Sequence, residues 1–219
     1  MARVPAVRPR MPMIVPLGDS AVLVRFSDRL DERANKAAIA LVRRLETHPI
    51  IGVVETVPNL VSVLLRYEHG TDPDAIGGEL RLRLRGLDVA SGSGRHWSVP
   101  VTFDGPDLEE VAAALSLSPA EFIKRHNAGA LRVLATGFAP GFVYCGMHED
   151  ALHLPRRTTV RSAVPPGSVL FAAGQTAITA TEMPTGWHVI GHTSFRNFDP
   201  QVHPPTRLEA GDVVEFEAV

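Results

Sequence analysis

Lysine and cysteine are almost missing from this chain of 219 residues. Lys36 and Lys124 are its two lysines and arginine supplies the other 20 of its 22 basic residues. That leaves almost no residue for a phosphate-loop, Schiff-base or biotinyl lysine, and neither lysine sits in a GxxxxGK[ST] sequence. Cys145 is the single cysteine, which excludes an internal disulfide framework and a Cys-rich zinc site. Its thiol fits a reducing compartment. No stretch approaches the roughly 18 consecutive apolar residues of a membrane span. The formal net charge is -2, and basic residues are scattered among acidic ones. No electrostatic footprint for nucleic acid or an anionic membrane results. Residues 1–12 carry Arg3, Arg8 and Arg10 without the apolar core of a signal peptide, and read as a proline-punctuated leader on a cytoplasmic protein.

Glycine and proline are plentiful, 18 of each, and show no period. That favours short strands and many turns within an α+β fold. Residues 13–26 read as two short strands around the turn pair Gly18-Asp19. Ala34, Ala38, Leu41, Val42 and Leu45 then fall at helical spacing over residues 31–47. Two strand-like segments flank Pro58-Asn59, and Asp72-Pro73 opens a second helix that turns Ile76, Leu80, Leu84 and Leu87 inward. The alternation LRLRLR at 80–85 competes with it as a strand. The order lacks one strand of a ferredoxin-like domain over residues 13–94. The small-residue stretch SGSG at 91–94 is the natural linker to a second domain at 95–219. His96 opens a strand, and two short helices follow, the second announced by Ser118, Pro119 and Glu121 as a capping box. Without a basic recognition face, this helix pair gives no DNA-binding element. From Leu131 onward, short β-branched runs broken by Gly and Pro turns read as a small barrel or sandwich.

The text PLGDSAVLVRF at 16–26, GFAPGFVY at 137–144, LPRR at 154–157, VPPGSV at 164–169, GQT at 174–176, GW and IG within 186–191, and FD at 198–199 resembles the family of the B-type 5-oxoprolinase subunits. That family is also known as allophanate hydrolase subunit 1 and the kinase inhibitor KipI. Several motifs agree in order over residues 13–219, so the resemblance is more specific than any one pattern. It implies a cyclophilin-like β-barrel after the N-terminal domain. It also implies a complex with a C-type partner, the KipA-like allophanate hydrolase subunit 2, and with the A-type component of 5-oxoprolinase, which together open 5-oxoproline to L-glutamate with ATP and magnesium. No cofactor is expected on this chain, and the pocket is shared with the C-type partner, so the chain alone is inactive. The family usually has proline-arginine at Val160-Arg161, glycine at Ala177 and Thr185, and arginine at His192. The last change removes a fixed bidentate cation.

Opening a resonance-stabilised amide requires donors for a developing oxyanion, and the turns at Gly137, Gly141, Gly174 and Gly186 offer backbone N–H groups. Phe138, Phe142 and Tyr144 alternate with small residues as candidate pocket walls, and Trp187 joins the substrate-binding candidates. Arg156, Arg157 and Arg161 are the densest cations of the second half, suited to a carboxylate or phosphate. Gln175 and Thr176 could read a small polar amide, His192 completes the substrate-binding set, and Glu182 and His188 are the general acid–base candidates. His188 and His192 lie on strand and turn text, which gives no helical zinc pair, and no metal site is expected. Cys145 has no Cys-His signature around it. The sequence contains no nucleophile elbow, HExxH or dinucleotide fingerprint. The alternative reading is a non-catalytic inhibitor of a sensor histidine kinase, which requires an exposed apolar patch.

Overall fold

The computed structural model describes residues 12–89 and 94–219. Most of the expected leader, and residues 91–93 of the expected linker, lie outside them. The chain divides into two compact units between residues 92 and 93.

In the first unit, β1 (Met13–Pro16) and β2 (Ala21–Arg25) pair antiparallel across the Gly18 turn. Asp31 then caps α1 (Glu32–Thr47), its carboxylate accepting the Ala34 N–H at 2.8 Å. Ala34, Ala38, Leu41 and Leu45 form the buried stripe of α1. β3 (Val53–Pro58) and β4 (Ser62–Tyr67) complete an antiparallel sheet ordered β1-β2-β4-β3. β4 lies between β2 and β3, which α1 connects, so the unit contains a split βαβ arrangement. The edge next to β2 is taken by β1, ahead of the motif. Among the described residues no strand of this unit follows α2 (Pro73–Leu84), the position a ferredoxin-like order would use. The LRLRLR stretch lies within and just beyond α2. Leu80 is buried while Leu82 is exposed, whereas a strand would have turned both to the same face.

In the second unit, β5 (His96–Val101) is followed by α3 (Leu108–Ala114) and α4 (Pro119–His126). The Ser118 hydroxyl accepts the Glu121 N–H while the Glu121 carboxylate accepts the Ser118 N–H, the reciprocal cap its sequence announces. Next come β6 (Leu131–Thr136), β7 (Val143–Gly146), β8 (Arg161–Val164), β9 (Ser168–Ala172), β10 (Gln175–Ile178), β11 (Met183–Thr185), β12 (His188–His192) and β13 (Val213–Ala218). Seven strands of this unit form one curled sheet ordered β12-β9-β10-β7-β6-β13-β5, in which β13 and β5 run parallel. Its two edges meet. Thr102 and His192 exchange N–H···O bonds of 2.9 Å in both directions, and the Gly105 N–H reaches the Ile190 carbonyl at 3.2 Å. A Cβ on Gly191 would stand 2.3 Å from the Thr102 oxygen, so only glycine allows this seam to close.

The concave core contains Val99, Val143, Cys145, Phe171, Ile178, Ile190 and Phe216, capped by Phe122 of α4. The β8–β11 ribbon contributes Val164 and Met183 to a second cluster on the outer face. Both faces of β9 are therefore covered, and all five of its residues are buried, as expected for an uninterrupted apolar strand.

Candidate functional site on the outer sheet face

Alternation along β7, β9 and β10 decides what the outer face carries. Val143, Cys145, Phe171 and Ile178 enter the concave core, whereas Phe142, Tyr144, Leu170, Ala172 and Ala177 join the outer cluster with Trp187. Tyr144 is flanked by Ala177 on β10 and Ala135 on β6, small neighbours that leave room around its ring. A chain of edge-to-face aromatics runs through it. Ring centroids are 5.8 Å apart for Phe138–Phe142, 4.8 Å for Phe142–Tyr144 and 5.9 Å for Tyr144–Trp187. At the far end the Arg156 guanidinium sits 5.5 Å over the Trp187 ring. Burial pushes the Tyr144 phenol above its ordinary pKa, while the nearby Arg156 charge pulls the other way. At the opposite end Phe138 is 76% exposed with φ of 80°, a left-handed backbone that a bulky residue adopts only under constraint. The adjoining turn needs Gly141, at φ of 69°, because a Cβ there would lie 2.5 Å from Phe198 and 2.7 Å from Ala180.

Residues 154–157 strap this region. The Leu154 carbonyl accepts the Ala173 N–H at 2.6 Å and the Arg157 N–H reaches the Gly186 carbonyl at 2.7 Å. His188 Nε2 contacts the Pro155 carbonyl at 3.1 Å. A carbonyl accepts only, so Nε2 carries the proton, and Nδ1 of the neutral ring keeps its lone pair. That Nδ1 is buried and has no hydrogen-bond partner. Gln175 lies opposite Ala172 and two residues before Ala177, so it shares the outer face with Tyr144. Its Oε1 is likewise buried and without a donor.

The three arginines separate into two kinds. Arg157 donates to the Asp107 carboxylate at 2.7 Å and to Glu110 at 3.3 Å, and Arg161 donates to the same Asp107 oxygen. The other Asp107 oxygen accepts the Val189 N–H at 2.8 Å. Both guanidinium groups thus tie the strap and β8 to the start of α3, although their sequence clustering reads as an anion site. Arg156 has no carboxylate partner among the described residues.

Other sequence-predicted positions fall elsewhere. Thr176 points into the concave core and is fully buried, its hydroxyl within 2.7 Å of His126 Nε2 and 2.8 Å of His148 Nε2. This hydroxyl is spent on a buried network and not offered to a ligand. Burial lowers the His126 pKa to about 4, and burial together with the neighbouring His126 lowers that of His148 to about 3. His192 stands at the seam, its Nδ1 2.8 Å from Asp104 in an exposed pair. It lines a separate cavity of about 590 Å³ with Pro100, Pro165 and Arg196. Glu182 is exposed on the turn between β10 and β11. The Gly137 N–H is used within its own turn, 3.1 Å from the Phe142 carbonyl. Cys145 is buried and its pKa is raised to about 12 by desolvation, which leaves no thiolate for nucleophilic attack. Among the described residues no three His, Cys, Asp or Glu side chains converge to hold a metal ion, and no helix is long and apolar enough to cross a membrane.

Sequence reasoning missed Asp107, His126 and His148. Asp107 precedes α3 and reads as an ordinary cap, yet it makes no capping bond because its carboxylate is turned to the arginines. His126 reads as a last-turn cation, with nothing local to reveal its burial.

The carboxyltransferase domain, subdomain C and D, matches residues 12–208. The B-type 5-oxoprolinase subunit of Bacillus subtilis is 35% identical over 215 residues, covering 91% of this chain and 90% of that protein. The crystal structure of TTHA0988 superposes with a TM-score of 0.79 at 36% identity, covering 91% of this chain. This chain spans 40% of that longer polypeptide. The Kluyveromyces lactis urea carboxylase, at 16% identity and a TM-score of 0.74 over 94% of this chain and 21% of its own, shares the fold. With the family match running from the first described strand into the approach to β13, the chain belongs to the carboxyltransferase subdomain C and D family.

Proposed function

We propose that this chain is one component of an ATP-dependent amidohydrolase that opens 5-oxoproline to L-glutamate, working with the C-type and A-type components of such a complex. The observation that carries the reading is the outer face itself. It presents an aromatic wall, one guanidinium without a carboxylate partner and one buried acceptor without a donor, Gln175 Oε1, and the described residues of that face include no nucleophile–base pair. Such a face binds a small polar amide and leaves part of the chemistry to another chain. The shared name of relatives at 32–35% identity over most of their lengths supports it.

In this reading the lactam carbonyl oxygen takes the γ-phosphoryl group of ATP. Water adds to the carbon, the C–N bond breaks as nitrogen takes a proton, and a second water releases phosphate. ATP and its magnesium belong to the partners, in keeping with the scarcity of lysine and the missing phosphate loop on this chain. Tyr144, Trp187 and Arg156 hold the substrate, whereas His188, paired with Phe171, faces the concave side and stands apart from them. The cyclophilin-like barrel and ferredoxin-like topologies belong to the same proposal. The test is co-expression with the neighbouring components and assay of ATP-dependent glutamate release. Turnover by the complex but not by the chain alone is expected, and activity of the purified chain alone would overturn the shared-pocket reading.

One observation favours a second reading. Phe138 and Val160, at 76% and 62% exposure, are apolar side chains turned to solvent, as a kinase-inhibiting module would need. Inhibition of sensor-kinase autophosphorylation by the purified chain, lost in Phe138→Ala, would select that alternative.

A further inference from the structure

We propose that the outer face selects ligands carrying a carboxylate beside an amide N–H, with Arg156 taking the carboxylate and Gln175 Oε1 accepting the N–H. The inference rests on the amide-binding reading above and names the chemical class and the specificity-determining atoms.

Three observations converge. Arg157 and Arg161 are engaged by Asp107, so Arg156 alone of the cluster has its fork available, steadied over the Trp187 ring. Gln175 is 6% exposed and its Oε1 meets no donor. A buried acceptor left unmet is costly, and a ligand N–H would remove that cost. Tyr144 connects the two positions. It feels the Arg156 charge, and the pairing of Thr176 with Cys145 makes Gln175 and Tyr144 diagonal neighbours on one face, a separation of about 7–8 Å. A simple phosphate would satisfy Arg156 but has no N–H for Gln175, and urea would satisfy Gln175 but has no anion for Arg156. A carboxylate next to an amide N–H satisfies both.

The test is titration of the full chain with three ring compounds, following the Trp187 indole resonance by NMR. The compounds are 5-oxoproline, 2-pyrrolidinone, which lacks the carboxylate, and the lactone acid with ring oxygen in place of N–H. Saturable shifts with 5-oxoproline are expected, with affinity about 10–100-fold weaker for each analogue, the range of one charge-assisted or one buried hydrogen bond. Arg156→Ala should erase the preference for the carboxylate and keep the preference for N–H. Gln175→Leu should do the reverse. Equal affinity for the three compounds, no saturable shift with any of them, or unchanged discrimination in both variants would overturn the proposal. Turnover is measured separately on the assembled complex. A complex inactive on 5-oxoproline whose chain still discriminates in this way would remove the catalytic reading and keep this one. An active complex whose KM is indifferent to Arg156→Ala would do the opposite.

Discussion

Replacing Asp107 with alanine should destabilise the second unit far more than removing any one arginine of the cluster. One Asp107 oxygen binds both Arg157 and Arg161, the other binds the Val189 N–H, and the side chain is 3% exposed. Losing the acceptor for a buried N–H costs about 1–3 kcal/mol. Breaking a fully buried ion pair costs about 3–5 kcal/mol, but the arginine side chains remain 21% and 33% exposed and recover part of that from water. The expected loss is about 3–5 kcal/mol in all. For a unit of this size that lowers Tm by about 10–18 °C. Arg157→Ala and Arg161→Ala should each cost about 1–2 kcal/mol, because Asp107 keeps one partner in either variant, and the pair should combine non-additively. Arg156→Ala, exposed and without a carboxylate, should stay within about 1 kcal/mol of the parent. Urea and thermal unfolding followed by near-ultraviolet circular dichroism read all four variants. A Tm within about 2–3 °C of the parent for Asp107→Ala, roughly the effect of a single surface change, or an Arg156→Ala loss matching it, would refute this division of the arginines.

Two further predictions concern the buried core. The His126 and His148 pKa values fall to about 4 and about 3 in the folded chain, while both sit near 6.5 when unfolded. The unfolded chain then binds more protons as pH falls below 6.5, so the folded state should lose about 4 kcal/mol between pH 7 and pH 5. Urea midpoints at pH 7, 6 and 5 check this, and a flat profile would contradict the burial of the pair. Cys145, with its pKa raised to about 12, should resist iodoacetamide at pH 8 in the native chain and react when urea unfolds it. Fast native labelling would show the thiol to be accessible.

Local chemistry made much of the fold legible. The Asp72-Pro73 pair and the Ser118–Glu121 box both cap the helices they announce, because capping depends on residues within three positions of one another. Long-range events were not legible. The seam between Thr102 and His192 joins distant stretches of the chain. For the site, sequence proximity grouped Arg156, Arg157 and Arg161 as one cluster. Side-chain direction split them, and a single distant carboxylate, Asp107, decided which remained available. Gln175 and Thr176 were read together as a polar pair, yet strand alternation sends them to opposite faces. Tyr144 and Trp187 belong together only because β7 and the turn before β12 meet over the same outer face.

The central claim, that the outer face of the second unit holds the substrate through Arg156, is tested most directly by ATP-dependent glutamate release from 5-oxoproline in the complex assembled with the A-type and C-type components. The account predicts that Arg156→Ala lowers kcat/KM by about 10–100-fold, chiefly through KM, with Tm unchanged and the complex intact. Wild-type kcat/KM in that variant would contradict it.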